Sequence, residues 1–260
     1  MKQYQAIRLT IEDAIAVVYL DRPDRMNALN TQMRAEITDA VRCVPEQGAR
    51  VLVITGEGRA FCSGQDLSDT ETAAALDLER VLRDEYEPML RAIGDCPLPV
   101  IADVNGPAAG AGANLALSAD VVIAAESAYF SQAFTRIGLM PDAGGSYWLP
   151  RQIGMAKAMG AALFAEPVSA RQADAWGMIW EAVADDAFAA RWRERAEHLA
   201  RGPLVAYRNL KRAIRQGWEQ GLAAQLDLEA HLQGECGETR DFREGVVAFH
   251  EKRPPHFEGR

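Results

Sequence analysis

Residues 100–148 read VIADVNGPAAGAGANLALSADVVIAAESAYFSQAFTRIGLMPDAGGSYW. The stretch opens on a short apolar run, Val100 to Val104, expected as a strand, and a second such run follows at Val121 to Ala125. Between them, Ala108 to Ala113 holds nothing but Ala and Gly. A run like this keeps side chains out of a place where backbone must come close to something else. A helix starting near Ala111 leaves its first N–H groups without internal partners, able to bond an oxyanion. The same small residues would equally serve close helix packing. The stretch closes on Pro141-Asp142-Ala143-Gly144-Gly145. Asp142 has two readings. It caps a helix that starts near Gly144, or it is a carboxylate that takes and returns a proton. In the second case Ile137, Leu139, Met140 and Trp148 would raise its pKa toward neutrality.

Toward the N-terminus, Ile7–Ile11 and Ala14–Leu20 alternate around the polar pair Glu12-Asp13, a hairpin signal. Asn27 to Thr31 launches an amphipathic helix through about Val44, with Met33, Ile37 and Val41 spaced by four. Arg50 to Thr55 reads as a strand buried on both faces, and Gly56 to Leu67 as a glycine-punctuated loop, the pattern of functional loops in α/β proteins and equally of ordinary surface excursions. A long helix is expected over Glu71 to Ile93. Strands alternating with helices predict an α/β core. Toward the C-terminus, a break is expected at Pro150-Arg151, then helices over Met155–Phe164 and Ser169–Ala175, the second with Ser169 as cap, and a short strand over Ile179–Val183. From Ala187 the pattern is helical only, over 187–200, 204–215, 222–233 and 241–250. The expected division is therefore an α/β core over 1–194 and a helical, oligomer-forming region over 195–260.

Several classes of function are disfavoured. A net charge of −9 argues against a general nucleic-acid binder. Cys43, Cys62, Cys96 and Cys236 lack metal or redox spacing, no His/Cys/Asp cluster has ligand spacing, and no leader or membrane span is apparent. Reduced thiols in a cytoplasmic protein, with no metal, are the expectation. The glycines at 106–112 do not fit a dinucleotide fingerprint, because the segment ends as GAGANLA and the strand before it is not near the chain start of a two-half sheet. Cys62 or Ser63 as a nucleophile lacks a base, since His198, His231, His250 and His256 all lie in the helical tail.

Several motifs in order resemble the crotonase (enoyl-CoA hydratase/isomerase) family over essentially the whole chain. They are Leu20-Asp21-Arg22-Pro23 with Asn27-Ala28-Leu29-Asn30, then residues 58–67, 105–115 and 138–145, and the ending Glu251 to Arg260. The resemblance implies a spiral of ββα units whose helical C-terminal region packs trimers, often two stacked as a hexamer. It implies an acyl-CoA substrate and no separate cofactor. The amides of Ser63 and Ala111 would form the oxyanion hole. The loop Ser63, Gly64, Gln65, Asp66 and Leu67 would meet CoA, with Arg22, Arg25 and Lys252 near its phosphates. The two glutamates that activate water in hydratases fall on Asn114 and Phe134, while the acid of many isomerase branches falls on Asp142. The implied reaction is isomerisation of an acyl-CoA. Either a ring-1,2-epoxyphenylacetyl thioester of phenylacetate breakdown opens to its oxepin, or an enoyl double bond shifts. Phe134 with Trp148, Tyr129 or Leu139 would line the acyl pocket. The rivals are 2-enoyl-CoA hydration, Δ3,Δ2-enoyl-CoA isomerisation in fatty-acid breakdown, and non-catalytic acyl-CoA binding.

Overall fold

Strand β3, Val51–Gly56, is buried along its whole length, and the rest of the main sheet is arranged around it. Its alternate residues feed two cores. Leu52 and Ile54 face one packed layer of helices, and Val51 and Val53 face the other. This is the continuous apolar pattern expected of a strand covered on both sides. The computed structural model describes residues 2–67 and 77–260. The first six residues of the expected helix over 71–93 lie outside the described residues.

The main sheet has the order β1-β2-β3-β4-β6-β9. Its strands are β1 (Ile7–Glu12), β2 (Ile15–Leu20), β3, β4 (Val100–Val104), β6 (Val121–Ala125) and β9 (Glu181–Val183). Only the β1–β2 hairpin is antiparallel, and its turn places Asp13 and Ala14 at φ 52° and 62°. A smaller sheet, which the sequence reading did not foresee, joins β5 (Ala108–Ala109), β7 (Tyr129–Ser131) and β8 (Val168–Ser169). The mixed α/β architecture agrees with the expected fold class.

Helix α1 (Thr31–Cys43) starts where Asn30 Oδ1 accepts the Met33 N–H at 2.9 Å. The next helical stretch is not uniform. A single turn, α2 (Leu78–Val81), leads into a π segment, Leu82–Tyr86, and then α3 (Glu87–Asp95). After β5 comes α4 (Ala111–Leu117), every residue of which is buried. Helix α5 (Gly145–Phe164) begins ten residues earlier than expected and absorbs Pro150. The carbonyl that proline leaves unbonded, four residues back, belongs to exposed Ser146. The break falls instead at Gly154, whose φ of 75° and ψ of 163° are not helical. Helix α6 (Ala170–Ala175) carries the expected cap, Ser169 Oγ accepting from Gln172 N–H at 3.3 Å.

Four helices complete the chain: α7 (Asp185–Ala200), α8 (Leu204–Gln216), α9 (Leu222–Gly237) and α10 (Arg240–Glu251). Helix α7 lays Phe188, Ala196 and Ala200 on the second face of the main sheet, and it runs unbroken through the expected division at 194/195. Helix α8 is clamped by two cations. Lys211 Nζ donates to the carbonyls of Cys96 and Leu98 at 2.8 and 2.7 Å, and Asp120 pairs with Lys211 at 2.6 Å and with Arg215 at 2.8 Å. At the start of β3, the Arg50 guanidinium donates to the carbonyls of Ala200, Gly202 and Glu258 at 2.6–2.7 Å. Among the described residues no helix is long and apolar enough to cross a membrane.

Candidate active site

The loop leaving β3 folds over the start of α4. Phe61 and Cys62 N–H both donate to Pro107 O, at 3.1 and 3.2 Å, and Cys62 O accepts from Ala109 N–H at 2.9 Å. A methyl group built on Gly112 would lie 2.3 Å from Cys62 O. The glycines and alanines therefore serve close packing, and that packing brings two free amides to one wall. Gly64, at φ 94°, approaches so near that a methyl group there would sit 3.4 Å from Ala111 N.

The hydrogen-bond partners of this wall's backbone N–H groups overturn one expectation. Ser63 N–H donates to Met26 O at 3.0 Å, and Ser63 Oγ donates to Arg25 O at 3.3 Å, so the Ser63 amide is not available to a substrate. Gly64 N–H is turned toward Cys62 Sγ. Asp66 N–H bonds Leu29 O at 3.1 Å. Between Ser63 and Asp66 and at the first residue of α4, the amides with no acceptor among the described residues are those of Gln65 and Ala111. Both residues line a cavity of about 290 Å³ with Gly110, Phe134, Leu139 and Asp142.

Asp142 sits in a loop bent by the left-handed pair Ala143 and Gly144, at φ 47° and 83°. The carboxylate does not cap α5. The Gly145 N–H goes to the main-chain oxygen of Asp142 at 2.8 Å, and no side chain caps that helix. Among the described residues, Oδ1 of Asp142 is buried without a partner. Burial raises its pKa from 3.8 to about 6, opposed in part by its own backbone N–H. Such a group exchanges a proton near neutral pH. Among the residues lining the cavity it is the sole carboxylate. Asp142 also borders a second, open hollow with Tyr86, Glu87, Arg91 and Tyr147.

The hydratase positions behave differently from each other. Phe134 lines the cavity, while Asn114 is fully buried behind it. Of the other expected pocket residues, Leu139 lines the cavity, Trp148 lies in the neighbouring hollow, and Tyr129 belongs to the small sheet. Ser63, Gly64, Gln65 and Leu67 share the cavity with Ala111 and Asp142. Arg22 holds Asp66 at 2.8 Å and the carbonyl of Ala28 at 2.6 Å, while Arg25 is exposed. Lys252 caps α10 in a left-handed conformation and does not line the cavity. Cys62 is fully buried and its thiol pKa is pushed up to about 12, as expected of an inert packing residue.

One feature was missed from sequence. Arg34, 2% exposed, donates to Gln65 Oε1 and Leu29 O, both at 2.8 Å, and pairs with Glu85 at 2.5 Å. Tyr86 Oη, from the π segment, donates to the same Gln65 oxygen at 2.8 Å. These bonds anchor the residue whose amide is free. The available signal was a charge on the helix face that also carries Ile37 and Val41.

A spiral α/β core with, among the described residues, two unbonded amides beside a lone half-buried carboxylate defines a crotonase-type thioester enzyme. The family model for enoyl-CoA hydratase/isomerase matches residues 10–260, and the chain belongs to that family. A protein of Rhodobacter capsulatus named "probable enoyl-CoA hydratase" is 63% identical over 99% of both chains. The 1,2-epoxyphenylacetyl-CoA isomerase of Escherichia coli is 44% identical, covering 96% of this chain and 97% of that protein. Among solved structures, enoyl-CoA hydratase from Bacillus anthracis superposes with a TM-score of 0.91 at 31% identity, over 98% of this chain and all of that one.

Proposed function

We propose that this enzyme isomerises acyl-CoA thioesters by proton transfer, with ring-1,2-epoxyphenylacetyl-CoA as the favoured substrate and enoyl-CoA double-bond shift as a second activity of the same groups. One observation carries the reading: among the described residues the cavity presents a single carboxylate, one of its oxygens unpartnered, next to two free amides, with Asn114 and Phe134 where a hydratase would need acids. The amides of Gln65 and Ala111 would receive the thioester oxygen as negative charge develops, each such donor being worth roughly 3 kcal/mol in comparable holes. Asp142 takes the proton from the carbon next to the thioester. The electron pair moves into the carbonyl, the ring opens to the oxepin, and Asp142 returns the proton to a ring carbon. Nothing is added or lost, so no separate cofactor is required. Supporting the substrate choice are the cavity's apolar walls, including Phe134 and Leu139, and the name of the Escherichia coli relative.

The loop Ser63–Leu67 would carry the CoA, with Arg22, Arg25 and Lys252 meeting phosphates. The exposed apolar side chains Leu210, Ile214, Trp218, Leu222, Leu226 and Phe249 favour a trimeric or hexameric assembly through the helical region. Hydration is the second reading, favoured by the name of the Rhodobacter relative. Offering the epoxide thioester, a straight-chain 3-enoyl-CoA and crotonyl-CoA in parallel separates the possibilities. Robust formation of 3-hydroxyacyl-CoA from crotonyl-CoA, with no isomerised product from the other two, would overturn the proposal.

A further inference from the structure

Asn114 has no solvent exposure, and its amide has partners on both sides. Nδ2 donates to the main-chain oxygen of Asp142 at 2.8 Å, and Oδ1 accepts from Gln132 Nε2 at 2.8 Å. That Asp142 oxygen can only accept, so it fixes which end of the Asn114 amide faces it. The orientation of Asn114 in turn fixes Gln132, which is 4% exposed and whose own Oε1 is left buried with no donor among the described residues. An orphaned acceptor persists only where turning the group round would cost more. Gly145 completes the fit, since a methyl group there would lie 2.3 Å from Asn114 Nδ2.

With Gly145 N–H on its other side, the Asp142 carbonyl is held twice, leaving its side-chain torsions as the freedom of the carboxylate. We propose that Asn114, backed by Gln132, is a positioning residue that aims Asp142, so that an acid at position 114 opposes proton transfer instead of creating a hydratase. The inference rests on Asp142 as the proton-transfer group. The titratable groups facing Asp142 are Tyr86 from the π segment, Arg136 from the turn at 133–137, Glu87 and Arg91 of α3, and Tyr147 of α5. Behind the wall lie Cys62 and the Arg34–Glu85 pair. None of these replaces the bond from Asn114 to the Asp142 carbonyl.

Asn114→Asp is the test, because it keeps the shape and the acceptor toward Gln132 and, once the new acid is ionised, removes the donor. In that variant a carboxylate oxygen would face the Asp142 carbonyl, and its charge would disfavour ionisation of Asp142. Expected is a fall in kcat of about tenfold or more with KM within about twofold, and an acid limb of the pH profile moved upward. Carbon-13 titration of the Asp142 carboxyl reads the same shift without turnover. Gln132→Glu, which invites Asn114 to turn its amide round, should lower kcat in the same direction and decides the matter if Asn114→Asp does not fold. The proposal is overturned by wild-type kcat and titration in a folded variant, by a loss confined to KM, by a loss of kcat with both pH readouts unmoved, or by gain of crotonyl-CoA hydration. If the unmodified enzyme isomerises none of the thioesters, the functional proposal falls alone, and the carboxyl titration still decides the role of Asn114.

Discussion

Replacing Asp142 by Asn separates the chemical role of this carboxylate from its cost to the fold. Its pKa is raised from 3.8 to about 6 by burial. At 1.36 kcal/mol per unit, ionisation at pH 7.5 costs the folded state at most about 3 kcal/mol. Because the group is only half-buried, screening by water reduces this to about 1–2 kcal/mol. The sign follows from linkage. The fold favours the neutral acid, so wild-type stability falls as pH rises from about 4 through about 6, and Asp142→Asn escapes that fall. Below pH 4 the two proteins should melt together. At pH 7.5 the variant should melt roughly 3–6 °C higher. Isomerase turnover should drop by about 10²–10⁴. Calorimetry at pH 4 and 7.5, with spectrophotometric turnover of a 3-enoyl-CoA, measures both quantities. A variant that matches the wild type in turnover and in melting temperature at both pH values would refute the reasoning.

Three other substitutions or reagents probe the wall of the cavity. Gly112→Ala places a methyl group 2.3 Å from Cys62 O, so it should destabilise the fold by about 2 kcal/mol or more and abolish turnover, as chemical denaturation and assay would report. Glu85→Gln leaves the buried Arg34 guanidinium without its anionic partner, with an expected loss of about 3 kcal/mol in denaturant unfolding and a lower kcat through Gln65. Thiol labelling of the native protein at pH 8 should modify the half-buried Cys43 and Cys236, and leave Cys62 untouched until unfolding, as peptide mass mapping would show.

Sequence patterns located the elements that are decided locally. The strands at 100–104 and 121–125, the start of α4 at Ala111 and the Ser169 cap follow from apolar runs, small residues and capping chemistry. Asp142 was singled out by its glycine-flanked loop; it lines the cavity, and no side chain caps α5, which removes the capping reading. What depends on distant partners was not legible. Ser63 and Gln65 are two residues apart in one loop, and only the position of Met26 O decides which amide is occupied. The same holds for Arg34, whose burial depends on Glu85, fifty-one positions away. The break at Gly154 in place of Pro150 was missed because a proline near a helix start harms little when its orphaned carbonyl belongs to an exposed residue.

The guanidinium of Arg50 has a consequence for how the chain is made. It sits at the base of the central strand, yet its three acceptors lie 150, 152 and 208 positions downstream. During synthesis, the first half of the protein therefore leaves the ribosome with this cation unanchored, and Arg50 waits for acceptors that are translated many seconds later. Ribosome-bound chains halted before residue 200 should accordingly be cut readily by protease near residue 50, with protection arriving only as the final helices emerge.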